Sequence, residues 1–317
     1  MADAFGRDGI GVGRVEEEGL NLVAADPDRQ ARHLFREGGN IKALAARALG
    51  APTRVIGLTW IDERQAIVVR PETRVLHPAD LGGLRFALPA FGRTPGESIG
   101  RGMALHGIRS ALALGGHPLD AVELIEIPAP PAAIPSPDSM RGLWQGLDLL
   151  ADGHVDAVYI KGAAAAEAAE RLGLVVAIDL DAYPSRLARI NNGTPRPLVV
   201  HEHMLEHHPD LVERFLEETL HAADWAAAHP RELSRLLADQ TMSGPAGVAL
   251  AYRNGFYRSL HPDLSSDRIG MLRIQAEFLW SHGFLSQPVD VDAWIDPAPL
   301  QAVVARRNVS EARISAD

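Results

Sequence analysis

Val155-Asp-Ala-Val-Tyr-Ile160, then Lys161-Gly162, then Ala163 to Leu172, then Val175-Val-Ala-Ile178 is the succession that decides the fold. The first piece is an apolar run of strand length, and Lys161-Gly162 ends it. The alanine-rich piece that follows favours helix. A second β-branched run closes the succession. Strand, helix and strand in close order predict a mainly parallel sheet covered by helices.

The same alternation extends outward. Gln65-Ala-Ile-Val-Val-Arg70, Gly83-Leu-Arg-Phe-Ala-Leu88 and Val122-Glu-Leu-Ile-Glu-Ile127 read as strands, and Leu76 to Leu81 as a short helical turn. A helix is expected over 96–114, with Thr94 as N-cap, Pro95 at its first position and Glu97 completing a capping box. Five prolines between Pro128 and Pro137 make an extended loop rather than a linker, because the alternation resumes after it. Asp138 or Ser139 then caps a helix to Leu150. Beyond Pro197 the chain turns helical: after the short strand Leu198-Val-Val200, helices are expected at Pro209–His229, Pro230–Leu237, Ala246–Arg253 and Ile269–His282. Residues 308–317 read as a frayed tail. Gly9 to Val15 is a weak strand whose glycines lack the flanking elements of a dinucleotide fingerprint.

Composition narrows the function. The 317 residues are 46% hydrophobic and 23% charged, an ordinary globular balance for two lobes. A net charge of -10 offers no basic surplus for nucleic acid. The absence of cysteine excludes disulfides, thiolate metal sites and cysteine nucleophiles. No apolar run is long enough to span a bilayer, and the opening residues carry no signal-peptide pattern.

Phe35-Arg36-Glu37-Gly38-Gly39-Asn40 opens a helical pattern over 36–49. Two glycines let the backbone approach a ligand, and a following helix adds its positive end. Arginine grips oxyanions with paired hydrogen bonds. Arg36, Gly38, Gly39 and Asn40 therefore read as an anion cradle, against the alternative of a plain turn with a surface arginine. Arg93 and Thr94, with the amides of Gly96 and Glu97, form a second candidate, against a capped helix with an exposed arginine. Lys161, at a strand end, is a third, against a solvated lysine. His201, His203, His207 and His208 have partial ligand spacing, but they straddle a helix start and are assigned no metal. Asp179 and Asp181, and Asp290 and Asp292, lack the rest of a calcium loop. Ser98 lacks a nucleophile-elbow context. Asn191-Asn-Gly193 reads as a turn.

Several phrases, in order, carry a resemblance. Ala79-Asp-Leu-Gly-Gly-Leu-Arg-Phe-Ala-Leu-Pro89, Ala151-Asp-Gly-His-Val-Asp-Ala-Val158, His208-Pro-Asp-Leu-Val-Glu-Arg-Phe-Leu216 with Ala223-Asp-Trp-Ala226, and Gly283 to Trp294 resemble segments of bacterial substrate-binding proteins. They span about residues 30 to 297. The group is the sulfonate, nitrate and taurine branch of ABC-transporter binding proteins. Within it, Arg36-Glu-Gly-Gly39 and Thr53-Arg-Val-Ile-Gly-Leu-Thr59 resemble the aromatic sulfinate desulfinase branch, where the matching arginine and second glycine help hold the sulfinate. That branch uses a cysteine nucleophile on its first strand–turn, and this chain has no cysteine. The histidine partner would fall near Asp26, and His33 does not take its place. By the same comparison the chain begins one strand late.

The resemblance implies a periplasmic-binding-protein-like type II fold, two α/β lobes with a hinge and an interlobe cleft. Lobe one would take residues 1–85 and 198–317, and lobe two 86–197. The expected function is anion binding for an ABC-type importer, with no cofactor and no catalytic residue. The expected partners are a small sulfonate-, sulfinate- or nitrate-like anion and a transporter permease. The protein is expected to be monomeric, without nucleic-acid binding or membrane insertion. It would be periplasmic or at the cell surface given an upstream signal, and cytoplasmic as the chain stands. The alternative is a desulfinase-like hydrolase of C–S bonds.

Overall fold

The apolar runs become strands, and most of them sit where the sequence puts them. In the computed structural model the described residues are Phe5, 32–93, 98–128, 146–253 and 255–314. The strands are β1 (Phe35–Glu37), β2 (Thr53–Thr59), β3 (Gln65–Val69), β4 (Arg85–Pro89), β5 (Glu123–Ile127), β6 (Ala157–Lys161), β7 (Val175–Asp179) and β8 (Arg196–His201). The helices are α1 (Asn40–Ala48), α2 (Ile99–Leu114), α3 (Gly146–Ala151), α4 (Ala163–Arg171), α5 (Glu202–His207), α6 (Pro209–Ala228), α7 (Pro230–Thr241), α8 (Pro245–Ala251), α9 (Ser266–Ser281), α10 (Val291–Trp294) and α11 (Ala298–Ile314).

The chain divides into two units. Unit one takes the described residues up to Trp60, Pro195–Ala228 and those from Arg258 onward; unit two takes Ile61–Thr194 and His229–Tyr257. The sequence placed the first crossing near residue 85. It comes at Trp60 instead, because β3 joins the sheet of unit two. The stretch 229–257 also leaves lobe one. Its Gly244 N–H donates to the Glu167 carboxylate at 2.9 Å, and Gly247 packs so close to Ala163 that an added Cβ would lie 2.8 Å from that carbonyl.

Unit one holds the sheet β1-β8-β2, with β8 antiparallel to both neighbours. Leu198, Val199 and Val200 are buried, as expected of a central strand. Ile56, Leu198 and Val200 pack with Met204, Phe215, Leu216 and Val303. Each such fully buried side chain contributes about 1.5–3 kcal/mol. The pattern expected as helix over 36–49 is corrected here. Phe35–Glu37 pairs with Leu198–Val200, and the helix starts only after the double glycine, at Asn40. Residues 308–314, expected to fray, continue α11.

Unit two holds the sheet β5-β4-β6-β3-β7. β4 is parallel to β5 and β6, whereas β3 is antiparallel to β6 and β7. The sheet is therefore mixed, not mainly parallel. The succession β6–α4–β7 is present, but β3 lies between its two strands. Local hydrophobic pattern does not encode which strand fills that gap.

Candidate functional site

Arg36 stands on β1 opposite Val199, one residue before Glu37 and two before the glycine pair. Its guanidinium turns back over that pair, and Nη1 donates to the Gly39 carbonyl at 3.2 Å. The approach requires glycine at 38: an added Cβ would lie 2.8 Å from Arg36 Nη2. Gly39 is the N-cap of α1 and has no side chain to accept from the first-turn N–H groups. The segment thus sets a cation beside a helix start without a side-chain cap, the two ingredients of oxyanion binding. Next to it, Arg196 Nε pairs with Glu37 at 3.1 Å, and the Thr59 hydroxyl donates to the same carboxylate at 3.2 Å.

Asn40 takes a different part from the one its sequence position suggested. It is fully buried, and its amide donates to the Pro195 carbonyl at 2.9 Å while its oxygen accepts from Gln275 at 3.0 Å. The side chain bolts the start of α1 to the entry of β8 and to α9. Only its backbone N–H belongs to the helix start.

The other candidates lie in unit two. Lys161, at the end of β6, is buried and pairs with Glu63, which also accepts from Tyr252 Oη at 3.3 Å. It is neither solvated nor a lone cation. Gly162, with φ of 84°, turns the chain sharply into α4. Arg93 is exposed; Thr94, Gly96 and Glu97 fall outside the described residues. Ser98 Oγ accepts from the Gly92 N–H at 3.1 Å.

Around Lys161 runs an ion network that sequence reasoning missed, since its members are far apart in the chain. Asp62 pairs with Arg189 at 2.5 Å, and Asp179 with Arg64 at 3.3 Å and Arg253 at 2.7 Å. Burial, with Asp179 beside it, pushes the Asp181 carboxyl up to about 7.

Residues 142–233 match the NMT1/THI5 like family. The 2'-hydroxybiphenyl-2-sulfinate desulfinases of Rhodococcus erythropolis and Rhodococcus qingshengii are 28% identical over 300 residues, covering 83% of this chain and 78% of theirs. The crystal structure of the desulfurization enzyme DSZB aligns with a TM-score of 0.66 at 24% identity, over 87% of this chain and 86% of that one. The periplasmic aliphatic sulphonate binding protein SsuA from Escherichia coli aligns with a TM-score of 0.60 at 16% identity, over 83% and 75%. With the two α/β units, these likenesses give the chain a periplasmic-binding-protein-like fold. Among the described residues no helix is long and apolar enough to cross a membrane.

Proposed function

We propose that this chain binds a small organic anion of the sulfonate or sulfinate class, as the ligand-binding component of an ABC-type importer. The observation that carries the reading is Arg36, drawn by the Gly39 carbonyl onto the start of α1. Arg36 neutralises the anion, and the N–H groups at Gly39 and Asn40 donate to its oxygens. A tetrahedral sulfonate or pyramidal sulfinate offers several oxygens to such a fork. Support comes from the sulfonate-binding and desulfinase relatives, which share the fold. Transport would place the protein where a permease can receive the loaded form, in the periplasm or at the cell surface.

The 28% identity to the desulfinases favours a second reading, C–S bond hydrolysis. The desulfinase branch relies on a cysteine nucleophile, and this chain has none. Titration with alkanesulfonates, biphenyl-2-sulfinate, nitrate and acetate, followed by calorimetry and by sulfite release, separates the two. Binding of a sulfonate or sulfinate without sulfite release is the expected result. Arg36→Ala should remove about 2–4 kcal/mol, raising Kd roughly 30- to 1000-fold. Stoichiometric sulfite release would favour the enzyme, and no binding by the folded chain would sink both readings.

A further inference from the structure

Five histidines gather at one edge of unit one, and their hydrogen bonds sort them into two kinds. His201 Nδ1 accepts from the His203 N–H at 3.0 Å and caps α5. His207 stacks on His203 at 4.2 Å, and its Nδ1 donates to the His203 carbonyl at 3.2 Å. Each of these two commits its Nδ1 to the short helix. The other three converge. The antiparallel register that sets Phe35 opposite Val200 carries His33 toward the start of α5. His203 lies in the first turn of that helix, and His208 follows its last residue.

Ring centroids of His33, His203 and His208 form a nearly equilateral triangle, with sides of 5.5, 5.6 and 5.8 Å. The rings are tilted by 52° to 81° rather than stacked. One nitrogen from each lies within 4.8 Å of the other two. Three imidazoles on a tetrahedral ion, at the usual metal–nitrogen length, hold their ring centres about 5 Å apart and their nitrogens about 3.4 Å apart. A contraction of at most about 1.4 Å at the nitrogens closes the site. Exposed His33, on the turn before β1, is placed to make that movement. Of the two acids on the helix, Glu202 is held by Arg54 at 3.0 Å and Glu206 lies beside His207 at 3.9 Å, and neither joins the three-histidine group. The donor set is therefore nitrogen alone, which suits late first-row divalent ions over calcium or magnesium.

We propose that His33, His203 and His208 form a three-histidine site for a late first-row divalent cation, zinc above all, with a fourth position left for water or an anion. From sequence the histidine run at 201–208 was assigned no metal because it straddles a helix start; the third ligand, His33, stands on the turn before β1 and is remote in the chain. The site does not rest on the anion-binding reading.

The test is calorimetric titration of the chelator-treated full chain with zinc chloride, and cobalt substitution read by visible absorption. One zinc per chain is expected, with an intense tetrahedral cobalt band. His33→Ala and His203→Ala should each weaken zinc by at least about tenfold, the lower end of what even an outer partner commands. His154→Ala, in unit two, and Arg36→Ala should leave zinc binding intact. His33 lies on an exposed turn, so its variant keeps the fold, checked by circular dichroism and metal-free melting. Absence of stoichiometric zinc would overturn the proposal, as would zinc that survives both histidine variants.

Discussion

Gly38 is where a single hydrogen atom controls a charge. An alanine there would press its Cβ against the Arg36 guanidinium, the movable end of a long side chain. The strain is relieved by the arginine swinging away, so the cost falls on the ligand rather than on the fold. Gly38→Ala should weaken anion binding by about tenfold while changing unfolding free energy by less than about 1 kcal/mol. Calorimetry paired with urea denaturation reads both numbers, and a large stability loss with unchanged affinity would refute the assignment. Asp181 offers a different residue-scale test. Its carboxyl is raised to about 7 by burial, then by Asp179, whereas an unfolded aspartate titrates near the ordinary value of 3.8. Between these values the folded chain keeps a proton that the unfolded chain releases, so stability falls as pH climbs through that window. Asp181→Asn should match the parent near pH 4 and exceed it above pH 7. Urea midpoints at both pH values check this, and parallel pH curves for the two proteins would count against it.

α2 places a buried glycine against a buried ring. A Cβ on Gly107 would come within 2.0 Å of Tyr159, whose hydroxyl donates to Gln65 at 2.8 Å and accepts from Asn191 at 3.1 Å. The ring cannot yield without breaking those bonds, so Gly107→Ala should cost about 3 kcal/mol or more. On α9 the same substitution reverses sign. Nothing lies within 4 Å of a Cβ on Gly270, and an alanine there should add about 0.5–1 kcal/mol. Thermal melting of the two variants gives the contrast directly. This contrast was not readable from the chain, where both positions are merely glycines inside helical patterns. The elements themselves were readable where an apolar run of strand length stopped at or just before a proline, as at Gln65–Val69 and Arg85–Pro89. Phe35–Glu37 was missed because three residues carry no period of their own; only the partner Leu198–Val200, far along the chain, makes them a strand. Arg36 and its glycines were legible as one cluster for the opposite reason, since their spacing is local. The burial of Asn40 and the Glu63 partner of Lys161 depend on residues distant in sequence, and no local spacing announces them.

At the scale of the molecule, each unit is assembled from separated stretches of chain, so the borders expected from sequence matter to folding. Residues 61–194 supply all five strands of the second sheet but not α7 or α8. α8 packs on α4 with Gly247 against Ala163 and Glu167 and Leu250 against the core that holds Ala165, Ala166 and Ala169, and the Gly244 N–H donates to the Glu167 carboxylate. A fragment of residues 61–194 alone would bare that face of α4 and leave Glu63 without its Tyr252 contact. Burying that apolar face is worth about 2–4 kcal/mol, a large share of the stability of one small domain. The fragment should therefore unfold at markedly lower urea than the same stretch joined by a short glycine-rich linker to residues 229–257. The joined form should also recover a single cooperative transition, read by fluorescence and circular dichroism together. Equal midpoints for the two would mean that 229–257 is not an integral part of unit two, and residues 61–194 would then make up that unit by themselves.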